Sequence, residues 1–399
     1  MPDAFDQISP AVALLVTCAR TELDGVQAAR LSALLQGPLD WDGVLALATQ
    51  QGVLPLLYWH LSRSAPALVP AHHLAHLRET YEQNTRRNLW LTGELIKLVN
   101  ACREGGVQVV TYKGPVLAAD VYGSLALRTF VDLDLLALPR DVPRLQTVLD
   151  ALGYQPFMHL SPAQRKLARQ YDSEYKVYAP ERNYIAEFHW DFVPSIFHVG
   201  FDLEAMFSRL QSVSLAGAQL LTLAPADLLL TLFVHGAKHG WTRLAWSCDV
   251  AELLRKHQDL DWDSLLAQAR ALGIERIVHL GLNLVADKLD VGLPREIGDR
   301  LEQDRVAKQL SNKLWHELIF EPLLSSERPL GLSLYLQARE RLSDRLTLLL
   351  RWVYTPRPYD LEQWVSLPGF LDRLYPLYGI AHFATHYLLN PRYLKRLRR

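Results

Sequence analysis

The chain has 399 residues, with 42 lysines and arginines against 43 aspartates and glutamates, a net charge of −1, and 49% hydrophobic and 21% charged residues. This balance excludes a chain dominated by disorder and supplies no global field for nucleic acid or a membrane surface, so any polyanion site must be local. Cys18, Cys102 and Cys248 are too far apart for a disulfide framework or a Cys-x-x-Cys metal site and read as buried thiols of a reducing cytosol.

The acidic start, MPDAFDQISP, lacks the positive n-region of a secretion signal, and no run approaches ~18 apolar residues. The expectation is a cytoplasmic protein without a membrane span. At about 150 residues per domain, the length suggests two to three domains.

Residues 1–100 are helical in pattern, with leucine-rich runs at 11–18, 44–48 and 54–61 and breaks at Pro38 and Pro70. One amphipathic helix is predicted over 80–104. A β-branched strand follows at 107–112, then a turn at Gly114 and a helix over 116–122, which Pro115 suits because a first-turn N–H has no partner in any case. A second strand is predicted at 131–138 and a helix at 142–152, stopped by Gly153. Residues 173–179 and 184–193 alternate as an antiparallel hairpin around the turn Pro180-Glu181-Arg182-Asn183. From Pro225 onward helical spacing returns at 228–232, 244–254, 262–272 and 276–289. The aromatic and proline-rich region 361–389 suits docking onto the strand-bearing part of the chain or a partner chain. The basic end, PRYLKRLRR at 391–399, reads as a frayed, solvated helix terminus, with binding to an anionic membrane surface or nucleic acid as its alternative.

Chemistry concentrates on two strands. Residues i and i+2 of a strand share a face, so Asp132 and Asp134 project together while Leu133 and Leu135 point the other way. By the same rule Glu187, His189 and Asp191 share a face opposite Ala186, Phe188 and Trp190. If the two strands are neighbours, Glu187 is a third carboxylate that can activate a hydroxyl or complete a divalent-metal site. Its alternatives are a cross-strand ion pair with Lys176 and occupation of the innermost position by His189. Mg2+ prefers oxygen ligands and bridges substrate phosphates, so carboxylates in this number point to phosphoryl or nucleotidyl transfer. On a helix around 228–240, His235 and His239 are four apart with Lys238 between them. Without a Glu at the second position this is not a zincin motif, and His235 reads as packing. Lys238, His239 and Arg243 are candidates to line a cleft, Asp249 to pair with a nearby base, and Trp241, Trp246 and Trp262 to fill core, with base stacking open to one of them.

The ordered set Lys113, Gly114, Pro115, Tyr122, Gly123, Arg128, Asp132, Asp134, Leu135, Leu136 resembles the uncharacterised nucleotidyltransferase family of the polymerase-β-like superfamily. His189-Trp190 and the later His235, Lys238, His239, Trp241, Leu244, Trp246, Asp249 are similar to further features of that family. So are the flanks Gly52-Val53-Leu54-Pro55-Leu56-Leu57-Tyr58 and Tyr354-Thr355-Pro356.

The resemblance implies an α+β fold, with a polymerase-β-like core of small mixed sheet and flanking helices between N- and C-terminal helical regions. The implied divisions are 1–79, a catalytic domain at 80–220, and 221–399. It further implies transfer of a nucleoside monophosphate from an NTP, ATP foremost, to a hydroxyl of a small molecule or peptide. Asp132, Asp134 and Glu187 would be the catalytic residues and would hold Mg2+ or Mn2+. The nucleotide would be met by Lys113, Gly114, Tyr122, Gly123, Arg128, His189, Lys238, His239 and Arg243. Pro115 departs from the Gly-Gly or Gly-Ser of the wider superfamily and removes one phosphate-binding N–H. A non-catalytic nucleotide- or partner-binding module and a toxin-like enzyme acting on tRNA or protein are the alternatives. Nucleic acid has no support from net charge, though a local basic cleft would accommodate it.

Overall fold

The computed structural model describes residues 8–320 and 332–355 together with the single positions 377 and 380. Pro356, the rest of 361–389 and the basic end at 391–399 lie outside the described residues.

The N-terminal helices are α1 (Pro10–Cys18), α2 (Gly25–Gln36), α3 (Trp41–Gln50), α4 (Leu54–Ser64) and α5 (Ala71–Glu104). Ser9, Asp24 and Asp40 start the first three, each side chain accepting a first-turn N–H that has no intrahelical partner. The α5 helix begins nine residues before the expected start. Of residues 71–79 only Leu77 is buried, so this stretch has no apolar stripe to announce it, yet nothing in it breaks a helix.

The sheet is built from β1 (Val109–Thr111), β2 (Asp132–Ala137), β3 (Gln155–Pro156), β4 (Glu174–Ala179) and β5 (Tyr184–His189), in the order β1-β2-β5-β4-β3. Only β2 and β5 run parallel, and the other neighbours are antiparallel. Helix α6 (Gly114–Asp120) connects β1 to β2, α7 (Val142–Ala151) follows β2, and α8 (Pro162–Tyr171) precedes β4. The fifth strand ends four residues short of the predicted 193. There the Asp191 carboxylate turns back to accept the N–H of Phe192 at 2.7 Å and Pro194 follows, which takes the backbone out of the ladder.

After a short helix α9 (Leu203–Phe207), a separate hairpin of β6 (Gln211–Leu215) and β7 (Ala218–Thr222) packs beside β1, with the Thr111 hydroxyl donating to the Leu221 carbonyl at 3.1 Å. Its turn holds Ala216 at φ 49° and Gly217 at φ 82°, the two left-handed residues that a two-residue hairpin loop requires. Ala-Gly advertises that turn poorly, and the sequence reading does not foresee the hairpin.

The remaining helices are α10 (Pro225–Lys238), α11 (Leu244–Lys256), α12 (Trp262–Ala271), α13 (Glu275–Leu289), α14 (Arg295–Gln303), α15 (Arg305–Phe320), α16 (Leu332–Ala338) and α17 (Leu342–Tyr354). Among the described residues no helix is long and apolar enough to cross a membrane.

Two cores result. On one face of the sheet Leu133, Leu135, Ala186 and Phe188 pack under Leu91, Leu95 and Leu98 of α5 and Leu145 and Leu149 of α7. Each large side chain buried there contributes roughly 1.5–3 kcal/mol. The larger core joins the N-terminal helices to α10, α11 and α13, and it takes in Val110, Tyr112 and Leu136 from the sheet. Arg20 clasps Asp290 at 3.2 Å and the Thr21 hydroxyl donates to Glu252 at 2.6 Å, tying the first helices to the later ones. The polar face of the sheet therefore looks toward the C-terminal end of α10. That end is fixed by Trp241, which is buried at φ 52° with its indole filling space that only glycine leaves open at 236 and 281.

Candidate functional site

The sheet register decides which polar side chains meet. In the parallel pair Asp134 lies opposite Glu187, and in the antiparallel pair Glu187 lies opposite Lys176 and His189 opposite Glu174. Residues opposite one another on adjacent strands point to the same face, so Asp132, Asp134, Glu187, His189, Glu174 and Lys176 form one polar surface.

His189 sits at its centre. Its Nε2 is 3.1 Å from Asp134 Oδ1 and 3.7 Å from Glu187 Oε2, and its Nδ1 is 3.4 Å from Glu174 Oε2. Lys176 Nζ bonds Glu187 at 2.6 Å and Glu174 at 3.0 Å. The two alternatives for Glu187 thus coexist: it is ion-paired to Lys176 and still faces Asp134. Asp134, Glu187 and His189 each offer a ligand atom within 4.8 Å of the others, an arrangement able to hold a metal ion. Asp132 lies outside that trio, two residues toward the start of β2.

Electrostatics separates the two aspartates. Burial, reinforced by Asp134 and Glu187, pushes the Asp132 carboxyl up to about 7. Burial opposes charge at Asp134 as well, but Lys113 and then His189 hold it well below the usual carboxylate range. Glu174, also buried, is held down at about 2 by His189, Lys238 and Lys176.

Lys113 caps the start of α6 and is almost fully buried, with Nζ 3.5 Å from Asp134 Oδ1 and 3.1 Å from His235 Nδ1. Burial, then the charge of Lys113, drives His235 far below its ordinary range, so the ring is neutral and offers a lone pair to the ammonium. The contact gives His235 more than the packing role read from sequence. Gly114 follows at φ 53°, and a Cβ there would lie 3.7 Å from the Asp132 carbonyl, so the turn demands glycine for its backbone angle and not for space.

Tyr122 and Arg128 meet Asp249. The Tyr122 hydroxyl donates to Oδ1 at 2.7 Å, while Arg128 Nε and Nη2 donate to Oδ1 and Oδ2, both at 2.8 Å. This bidentate clamp ties the segment between α6 and β2 to α11, and it is the base pairing expected of Asp249. Asn88 holds the same segment from the other side, donating to the carbonyls of Leu125 and Arg128 at 2.6 and 2.8 Å. Gly123, exposed at φ 69°, lies in the turn after α6.

At the end of α10, burial and then Lys238 lower His239 to about 3, and its ring lies 5.1 Å from that of Trp246. Lys238 is half-buried and forms no ion pair among the described residues, although its charge reaches Asp172, Glu174 and Asp191. Arg243 is exposed, 5.8 Å from the Trp246 ring centre.

Glu174 was not singled out from sequence, although a signal was present. Pairing Ala179 with Tyr184 across the 180–183 turn fixes the register that sets Glu174 opposite His189.

A family model described as an uncharacterised nucleotidyltransferase matches residues 37–290, well over half of the chain, and the chain belongs to that family. No curated protein and no solved structure matches it.

Proposed function

We propose that this member of the uncharacterised nucleotidyltransferase family moves a nucleoside monophosphate from an NTP, ATP foremost, to a hydroxyl of a small-molecule or peptide acceptor. The observation that carries the reading is the parallel register that sets Asp134 beside Glu187, with Asp132 on the same face. Asp132, Asp134 and Glu187 would hold Mg2+ or Mn2+, whose preference for oxygen their carboxylates meet, and Asp134 and Glu187 lie with His189 close enough together to share an ion. When bound, the cation supplies charge neutralisation at the transferred phosphate.

The residues divide the remaining work. Lys113 and Lys238 bind phosphate oxygens, Gly114 lets the backbone approach them, and His239 and Arg243 border the nucleotide. Tyr122, Gly123 and Arg128 shape the wall of that site, Arg128 through its clamp on Asp249. His189 orients Asp134. Glu187 takes the proton of the acceptor hydroxyl as its oxygen bonds the α-phosphorus and pyrophosphate leaves. In this reading the catalytic unit covers 80–220, between the helical regions 1–79 and 221–399.

The test is transfer of label from α-labelled ATP with Mg2+ across an acceptor panel, beside the Asp132→Asn/Asp134→Asn double variant. Transfer that survives the double change sinks the proposal. A non-catalytic nucleotide-binding module is favoured by Pro115 and by Lys113 and Lys176 already pairing with Asp134 and Glu187. Nucleotide binding indifferent to Mg2+, without turnover, would select it.

A further inference from the structure

Lys113 stands in an unusual relation to its carboxylate. A charge-assisted N–H···O bond to a carboxylate normally spans about 2.7–2.9 Å. Here the ammonium lies 3.5 Å from Asp134 Oδ1 and closer, at 3.1 Å, to the uncharged Nδ1 of His235. Asp134 Oδ1 is at the same time 3.1 Å from His189 Nε2. The ammonium is thus drawn off the carboxylate toward a neutral acceptor supplied by another element.

That acceptor is itself held rigidly. His235 lies in the last turn of α10, with its ring 4.6 Å from that of His239 and edge-on to Trp246 at 5.5 Å. The ring is thus packed between two aromatic neighbours, which set the position of the acceptor it offers to Lys113.

We propose that His235 is the positioning residue for Lys113, accepting its ammonium hydrogen bond so that the lysine can leave Asp134 for an anionic ligand without leaving the cleft. The inference rests on the nucleotidyltransferase reading of the site. A buried ammonium whose only partner was Asp134 would collapse onto that carboxylate and compete with both a cation and a phosphate. With His235 as second partner, the interaction given up on ligand binding is weaker and the ammonium stays aimed into the site.

Two variants separate this role from packing. His235→Asn keeps an oxygen where Nδ1 stands, whereas His235→Leu keeps comparable bulk and removes the acceptor. Calorimetry with Mg2+ and α,β-methylene-ATP is expected to show about tenfold or greater weakening for His235→Leu, and His235→Asn within about threefold of the unaltered protein. The side-chain 15N signal of Lys113, assigned by its absence in Lys113→Met, should shift in His235→Leu and return in His235→Asn. Equal affinity in all three proteins, or equal loss in both variants, overturns the inference. If the unaltered protein binds no Mg-nucleotide, the functional proposal fails instead. The Lys113 signal then decides the His235 contact by itself, and a signal indifferent to His235→Leu refutes it.

Discussion

The Arg128–Asp249 clamp yields the sharpest quantitative expectation. Asp249 is buried to 3% side-chain exposure and Arg128 to 11%, and they share two charge-assisted bonds of 2.8 Å, with a third from Tyr122 at 2.7 Å. Removing one member of a buried pair leaves the other charge without compensation, which costs about 3–5 kcal/mol, whereas replacing both by apolar groups of similar volume is often close to neutral. Asp249→Ala should therefore destabilise by about 4 kcal/mol. At about 2.1 cal/mol/K of unfolding entropy per residue, the 399-residue chain shifts by roughly 1 °C per kcal/mol, a fall in Tm of about 5 °C. The double variant Arg128→Met/Asp249→Leu should recover most of that loss. Urea unfolding followed by circular dichroism, run on Arg128→Met, Asp249→Leu and the double variant, gives the coupling energy directly. A cost below about 1 kcal/mol for Asp249→Ala, or a double variant as weak as the single, would refute the clamp as an uncompensated buried-charge device. The same series tests whether Arg128 binds phosphate through direct contact, because freeing it from Asp249 would then raise nucleotide affinity while stability falls.

Three further outcomes follow from the packing. Gly236→Ala should lower stability by about 1–3 kcal/mol through overpacking, and its thermal unfolding should show this, since the new Cβ would lie 2.6 Å from the Trp241 indole. Gly114→Ala should cost about 1–2 kcal/mol by the same measurement, entirely from the left-handed backbone, because no steric clash accompanies it. Burial pushes the Cys18 and Cys102 thiols up to about 12 and raises Cys248 as well, so none should react with a disulfide reagent at pH 8 in the native protein. Denaturant should release three; a thiol that reacts rapidly without it would contradict the core placement of these residues.

What could be read from sequence follows the range over which each feature is determined. The Asp132–Asp134 face and the Glu187–His189 face follow from strand alternation within a few residues, and the hairpin register from a four-residue turn. These local rules also made Lys176 a foreseeable partner of Glu187. The parallel pairing of β2 with β5 is of another kind, since it depends on how the intervening helices pack, and from sequence it stood only as a condition. The hairpin at 211–222 escaped because its turn uses Ala-Gly, and the first two turns of α5 because their exposed face carries no apolar stripe.

Least accessible were the partners that set the charge state of the site. His235 reaches Lys113 and Asp249 reaches Arg128 across more than a hundred residues of chain. This distance has a functional consequence. Residue type alone assigns Lys113 and Arg128 to phosphate, yet in the folded chain Arg128 is committed to Asp249 and Lys113 is shared between Asp134 and His235. Of the two, only Lys113 is held by a weak neutral acceptor and a lengthened carboxylate contact, so it can change partners at small cost. Freeing Arg128 would expose a buried carboxylate at a cost of several kcal/mol. Under the proposed function, phosphate binding therefore falls to Lys113 and the half-buried Lys238, with Arg128 holding the wall against which they work.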